Sequence, residues 1–169
     1  LDVRGRLRER MQTASAELDF ERAAHLRDAL RWLEQVEQPQ TVEVVGGGDV
    51  DAIGLARDGD DACGVILRIR GGRLIAREHR FLEHAGAESE AAVLSAILVR
   101  LYLPLDARAS RVLLPFAPED PDALQALAPA VDWARPQRGT NARLVELAEQ
   151  NARHLLESLL LESFDVEER

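Results

Sequence analysis

Two apolar runs at helical spacing, separated only by the short stretch Glu17-Leu18-Asp19, constrain the first part of this chain more than anything else in it. Before the break, Val3, Leu7, Met11, Ala14 and Leu18 recur at steps of four, four, three and four, which places them on one face of a helix. After it, Phe20, Ala23, Ala24, Leu26, Leu30 and Leu33 do the same. Asp19 stands between the runs, where a short acceptor side chain caps the free N–H groups of a following helix and its charge suits the positive helix end. Two helices joined this closely lie antiparallel, so residues 1–38 are expected to form a helical hairpin. Short helices are marginal on their own, and a single pair leaves part of its apolar stripe facing water. The stripe therefore calls for more helices, from the rest of this chain or from a partner, to complete a bundle of four.

Pro39 ends the second helix, because proline lacks the N–H and biases the residue before it away from helix. Residues 39–169 read as a second domain. Residues 41–45 suggest a short strand, and Gly46-Gly47-Gly48 a turn. It is not a phosphate loop, since no Lys-Ser or Lys-Thr follows and Asp49 and Asp51 would repel an anion. Strands are expected at 50–57, 62–70 and 73–82, joined by turns at 58–61 and at Gly71-Gly72. In the second of them Cys63, Val65, Leu67 and Ile69 share one face, and Gly64, Ile66, Arg68 and Arg70 the other.

A strongly apolar helix should follow over 89–102, carrying Ala91, Val93, Leu94, Ile97, Leu98 and Leu101 and stopped by Pro104. Then come a short strand at 111–114 and a helix at 121–127 with Asp120 as its cap and Pro121 in its first turn. A strand at 131–134 precedes a long helix at 141–163, with Leu144, Leu147, Ala148, Asn151, Leu155, Ser158 and Leu159 along one face. The order βββαβαβα is that of the ribonuclease H-like fold, a mixed-sheet α/β (α+β) layer structure. Hairpins make the first three strands antiparallel, and helical crossovers make the later pairings parallel.

Composition limits what such a domain does. With 46% hydrophobic but only 4% aromatic residues, the core must be aliphatic. There is no apolar run of eighteen residues and no apolar leader, which predicts a soluble protein without membrane contact. The lone Cys63 forms no internal disulfide, reads as a small core residue, and fits a reducing cytoplasm. All 21 basic residues are arginine, and the net charge is −9. Residues 83–169 alone hold eight Arg against fifteen acids, so tight nonspecific DNA binding is not expected.

A nuclease of this fold needs carboxylates converging on two metals, from the middle of the first strand, the first helix and the end of the fourth strand. Asp51 and either Glu88 or Glu90 approximate two of these places, but the fourth strand runs out in Leu114-Pro115-Phe116 with no acid. Asp49, Asp51, Asp58, Asp60 and Asp61 therefore read as solvated loop residues. His25, His79, His84 and His154 have no metal spacing, and no GxSxG is present. The domain is expected to be catalytically inactive, with no metal and no cofactor. Arg68, Arg70, Arg73, Arg77 and Arg80 crowd the second and third strands. They are either solvated partners of nearby acids, the simpler reading, or a small phosphate-contacting patch. Arg135 and Arg138 lead into the last helix, where packing or capping competes with anion contact.

Leu7, Met11, Ala14, Leu18-Asp19-Phe20-Glu21, Ala23-Ala24, Arg27-Asp28 and Leu33 resemble the UVR motif, a Leu, Met, Ala, then LxFExAAxxRD pattern found in the UvrB and UvrC excision-repair families and in some chaperone-associated proteins. Pro136, Arg138-Gly139, Leu144, Leu147-Ala148 and Asn151-Ala152 resemble a PxRGxKxxLxxLAxxNA pattern of the UvrC family, with Asn141 where the family usually has Lys. Residues 40–51, Tyr102 and Pro104 also fall where that family places similar ones. The resemblance implies a part of the UvrABC excinuclease, which nicks damaged DNA on both sides of a lesion. It further implies that the hairpin docks on UvrB through Leu7, Met11, Leu18, Phe20, Glu21, Ala24 and Arg27. The second domain would then space two nucleases lying outside these residues, with weak or no DNA contact of its own, through Arg68, Arg70, Arg73, Arg77 and Arg138. The motif by itself also permits a stand-alone adaptor that recruits a chaperone or protease.

Overall fold

A computed structural model describes residues 3–16, 20–36, 48–83 and 85–167. Helices α1 (Val3–Ala16) and α2 (Phe20–Val36) form the expected pair. Leu7, Ala14, Leu26 and Leu30 are buried between them, with Met11 and Ala23 half-buried against that cluster. The bend with Leu18 and the capping position Asp19, the side chain of Leu33, and the expected strand at 41–45 with most of the glycine turn lie outside the described residues.

Five strands make one sheet in the order β3-β2-β1-β4-β5. They are β1 (Val50–Asp58), β2 (Asp61–Arg70), β3 (Arg73–Leu82), β4 (Arg111–Leu113) and β5 (Asp132–Ala134). The three long strands pair antiparallel, and β4 and β5 join in parallel through helical crossovers. Gly71 and Gly72 have φ of 57° and 76°, so the β2–β3 turn has two left-handed residues, a geometry glycine adopts without strain. That turn sets Arg70 opposite Arg73 and hence the register of the hairpin.

On one face of the sheet, α3 (Glu90–Ile97) begins at Ser89, whose Oγ accepts from the Ala92 N–H, and packs Val93, Leu94 and Ile97 onto Ile53 and Ile66. The single helix expected over 89–102 instead ends in a π-helical turn at Leu98–Tyr102, closed by Leu103 N donating to Leu98 O at 2.9 Å. That turn keeps both Leu98 and Tyr102 buried. Helix α4 (Pro121–Leu127) starts at Asp120, whose carboxylate accepts from the Ala123 N–H at 3.0 Å, as its sequence indicates.

The opposite face is backed by α5 (Gly139–Glu167). Its buried positions are Leu144, Val145, Ala148, Asn151, Ala152 and Leu156, while Leu147 and Leu155 are only half-buried, so the helix is rotated from the face its sequence suggested. The cause lies in the sheet. A side chain at Gly54 would run into main-chain atoms of Ala148 and Glu149, so the helix rides directly on the strand and turns its alanines, Ala148 and Ala152, inward. At 29 residues α5 is about 43 Å long, more than the roughly 33 Å of a ten-residue strand. Its end, from Glu157, groups with the hairpin as one compact unit, whereas residues 40–156 form the other.

Gly54→Ala is expected to lower stability by about 3 kcal/mol, the upper end of the cost of overpacking, because the obstruction is backbone and cannot rotate away. Urea denaturation checks this through a lower midpoint at unchanged slope. Gly48→Ala, where an added carbon meets nothing within 4 Å, should leave the midpoint in place.

Candidate functional site

The hairpin carries an open groove of about 650 Å³ lined by Met11, Gln12 and Ala16 from α1 and Phe20, Ala23, Ala24 and Arg27 from α2. Five of these seven, Met11, Ala16, Phe20, Ala23 and Ala24, are apolar, and only Gln12 and Arg27 are polar. Phe20, at the start of α2, is 65% exposed, an unusual state for a phenylalanine. Glu21 and Arg27 are also exposed, whereas Met11 and Ala24 are half-buried. The structure thus brings Met11, Phe20, Ala24 and Arg27 together, with Glu21 exposed beside Phe20 in the chain. Leu7 is different: at 1% exposure it belongs to the core between the helices and supports the groove instead of offering itself to a partner. Leu18 lies outside the described residues.

In the sheet unit the sequence reading of Asp51 requires correction. It is not a solvated loop residue but the second residue of β1, fully buried. An anion in that place needs donors, and three elements supply them. Arg70 Nη1 on β2 donates to Oδ1 at 2.8 Å, the Tyr102 hydroxyl donates to Oδ2 at 2.8 Å, and the Ala109 N–H ahead of β4 donates to Oδ2 at 3.0 Å. Burial, and then the charge and hydrogen bond of Asp51, push the Tyr102 phenol well above its ordinary pKa, so it remains a donor. Asp49 is exposed as expected, although its Oδ1 accepts from the Gly71 N–H at 2.9 Å. Among the described residues no three His, Cys, Asp or Glu side chains converge as metal ligands.

The arginines also separate. Arg68 and Arg70 share a face, but both are turned to other parts of the fold: Arg68 Nη2 holds the carbonyls of Asp106 and Ala107, and Arg70 holds Ala107 O at 2.7 Å as well as Asp51. They clamp a loop, which was not legible because the loop is remote in sequence. Arg77 pairs in register with Leu67, on the other side of the sheet from Arg68, and burial pushes its guanidinium down to about 10, still cationic at neutral pH. Arg80 donates to Arg100 O at 3.3 Å. Arg73, at the start of β3, and Arg138, just ahead of α5, are exposed. Cys63 is buried as expected, and burial raises its thiol to about 12.

The described residues thus combine a helical hairpin that carries an open apolar groove with a five-stranded mixed sheet of ribonuclease H-like order, a two-part α/β protein. A family model described as the UvrC Ribonuclease H-like domain matches residues 49–159, and one described as the UvrB/uvrC motif matches residues 3–36. The chain belongs to the UvrC family. The UvrABC system protein C of Gemmatimonas aurantiaca is 52% identical over 168 residues, covering 99% of this chain and 27% of that protein. The proteins of the same name from Moorella thermoacetica and Chlorobium luteolum are each 37% identical, over 92% of this chain and 26% and 27% of theirs. The chain therefore spans about a quarter of the length of these relatives. No solved structure matches it. The stand-alone adaptor reading finds no support among these relatives.

Asp51→Ala would take the acceptor from the Tyr102 hydroxyl and leave the Arg70 guanidinium only backbone carbonyls, and the loss is expected to reach about 3–5 kcal/mol by equilibrium unfolding, the cost of breaking a buried pair. Asp51→Asn keeps an acceptor and should cost less. In the folded chain iodoacetamide at mildly alkaline pH should leave Cys63 unmodified, because its raised pKa keeps the thiol protonated; denaturant should expose it to rapid alkylation, read by mass spectrometry.

Proposed function

We propose that this chain is the docking and spacing part of a UvrC-type excinuclease subunit. Its hairpin accepts the helical hairpin of UvrB in the groove between α1 and α2, and its sheet unit separates the nuclease domains of the longer protein without cutting DNA itself. The observation that carries the docking half is the apolar groove with Phe20 standing 65% exposed at its edge. Burying an apolar stripe of this kind under two further helices is how a four-helix bundle gains its core.

The non-catalytic half is supported by two features of the sheet. The first-strand carboxylate, Asp51, already has three donors around it, and β4 leads into Leu114-Pro115 with no acid. Damaged DNA is met by the full complex in the cytoplasm. The contribution of this chain to that contact is weak and falls to Arg73 and Arg138, since Arg68 and Arg70 have loop carbonyls to hold.

Titrating the chain with the UvrB hairpin, followed by calorimetry, tests the docking half. Phe20→Ala should weaken binding at least about tenfold, the loss of one aromatic anchor, without changing helix content. Leu7→Ala should instead lower helix content, since it removes core. Unchanged affinity for the Phe20 variant would refute the groove as the docking surface. Magnesium- or manganese-dependent DNA cleavage by this chain would refute the spacer half.

A further inference from the structure

We infer that the pocket at the carboxyl ends of β4 and β5 takes a single unpaired guanine base. Parallel strands of α/β sheets place ligands beyond their carboxyl ends. A cavity of about 240 Å³ lies there, lined by the segment that follows β4, by helix α4 and by the end of β5. It is smaller than the roughly 300–1,000 Å³ of sites for drug-sized molecules, so its room is that of one heterocycle. Pro118, Pro121 and Trp133 supply flat, apolar walls.

Three polar side chains also line it: Asp122, Gln125 and Arg135. Asp122 and Arg135 are exposed and carry opposite charges, yet among the described residues neither side chain holds an ion pair or a hydrogen bond. They stand too far apart to neutralise each other. The pocket therefore offers a ligand an anionic acceptor and a cationic fork of donors at once. The amide of Gln125 is fixed, since its Nε2 donates to the carbonyls of Pro129 at 3.3 Å and Val131 at 3.1 Å, and this leaves Oε1 as a second acceptor. The indole N–H of Trp133 is buried without an acceptor among the described residues, so a ligand carbonyl seated against the ring is the first it meets.

Such a set selects among bases. Guanine carries two adjacent donors, N1–H and the N2 amino group, to meet a carboxylate, with O6 and N7 as acceptors on the neighbouring edge for a guanidinium. Adenine has a lone pair at N1 and cytosine one at N3, and either would be set against Asp122. Thymine places a carbonyl on both sides of its single N–H. In a duplex, cytosine covers the edge that Asp122 needs. Only an unpaired guanine therefore enters, from a single strand of DNA or from a free nucleoside. Glu119 and Asp120, both exposed, immediately precede Pro121, so a phosphate gains nothing here and the base itself is what is held.

Proton–nitrogen correlation spectra of the 169-residue chain test this through the two tryptophan indole signals, with Trp32→Phe telling them apart. Guanosine up to about 1 mM should move the Trp133 signal along a saturating curve, as befits a small ligand held by a few contacts. Adenosine and cytidine should bind at least about tenfold more weakly, because a site built around donors on the ligand rejects an analogue that lacks them. Asp122→Ala and Arg135→Gln, both at exposed positions, should each weaken guanosine about tenfold while leaving the rest of the spectrum in place. Guanosine monophosphate should bind no tighter than guanosine. A short thymidine strand with one guanine separates the sources. Binding of that strand, but not of an all-thymidine strand, assigns the pocket to a base of single-stranded DNA, and binding of guanosine alone assigns it to the free nucleoside. A Trp133 signal unmoved by both, adenosine as tight as guanosine, an all-thymidine strand as tight as the guanine strand, or full affinity in Asp122→Ala would overturn the inference.

Discussion

A carboxylate sealed from water is among the more expensive groups a fold contains, costing several kcal/mol unless donors surround it. Asp51 is such a group, and much of the sheet unit is arranged to meet it. Its three donors come from β2, from the π-helical turn and from the loop entering β4. The parallel pairing of β4 with β1 spans only three residue pairs, so the polar contacts around Asp51 supply attachment that the short ladder lacks. Ala107 adopts a left-handed φ of 53°, a conformation that costs a residue with a Cβ roughly 1 kcal/mol. Arg68 and Arg70 both donate to its carbonyl, which holds the strained residue in place.

This arrangement also bears on chemistry. A carboxylate serves a metal through lone pairs that point to an open site. The oxygens of Asp51 point to a guanidinium, a phenol and an amide, all within 3.0 Å. For the group to change roles, Arg70 and Tyr102 would have to leave, and the loop they organise would lose its anchor. Asp51, which stands near where the first-strand acid of a nuclease of this fold is expected, is thus a side chain the fold is not free to release.

Much of the secondary structure was legible because its signals are local. Asp120-Pro121 marks a helix start, Gly71-Gly72 marks a hairpin, and alternation in 62–70 assigns each side chain of β2 to the correct face. Burial of Asp51 was not legible, since an acid near the start of a strand looks the same whether its donors are present or absent. Tyr102, Arg70 and Ala109 are between 19 and 58 residues away. The rotation of α5 was hidden for a similar reason: apolar periodicity fixes a broad stripe, but the contact line within it is set by Gly54 on a distant strand. In the hairpin the stripe was legible, but the division between Leu7 inside and Phe20 outside was not, because helical spacing does not say which part of an apolar face a second helix covers.

That division explains why a hairpin of this kind is built as it is. Leu7, Ala14, Leu26 and Leu30 bury enough to bring two helices together, and Ala23 and Ala24 leave a furrow beside them. Larger residues at 23 and 24 would bury more apolar area in the lone hairpin and stabilise it by about 0.8 kcal/mol per added methylene. They would also fill the space another helix needs. On the proposed docking reading, stability of the free hairpin and affinity for its partner draw on the same apolar surface, and the alanines shift the balance toward the partner. An exposed phenylalanine beside small residues is what that reading requires, with the second half of a core supplied by association instead of folding.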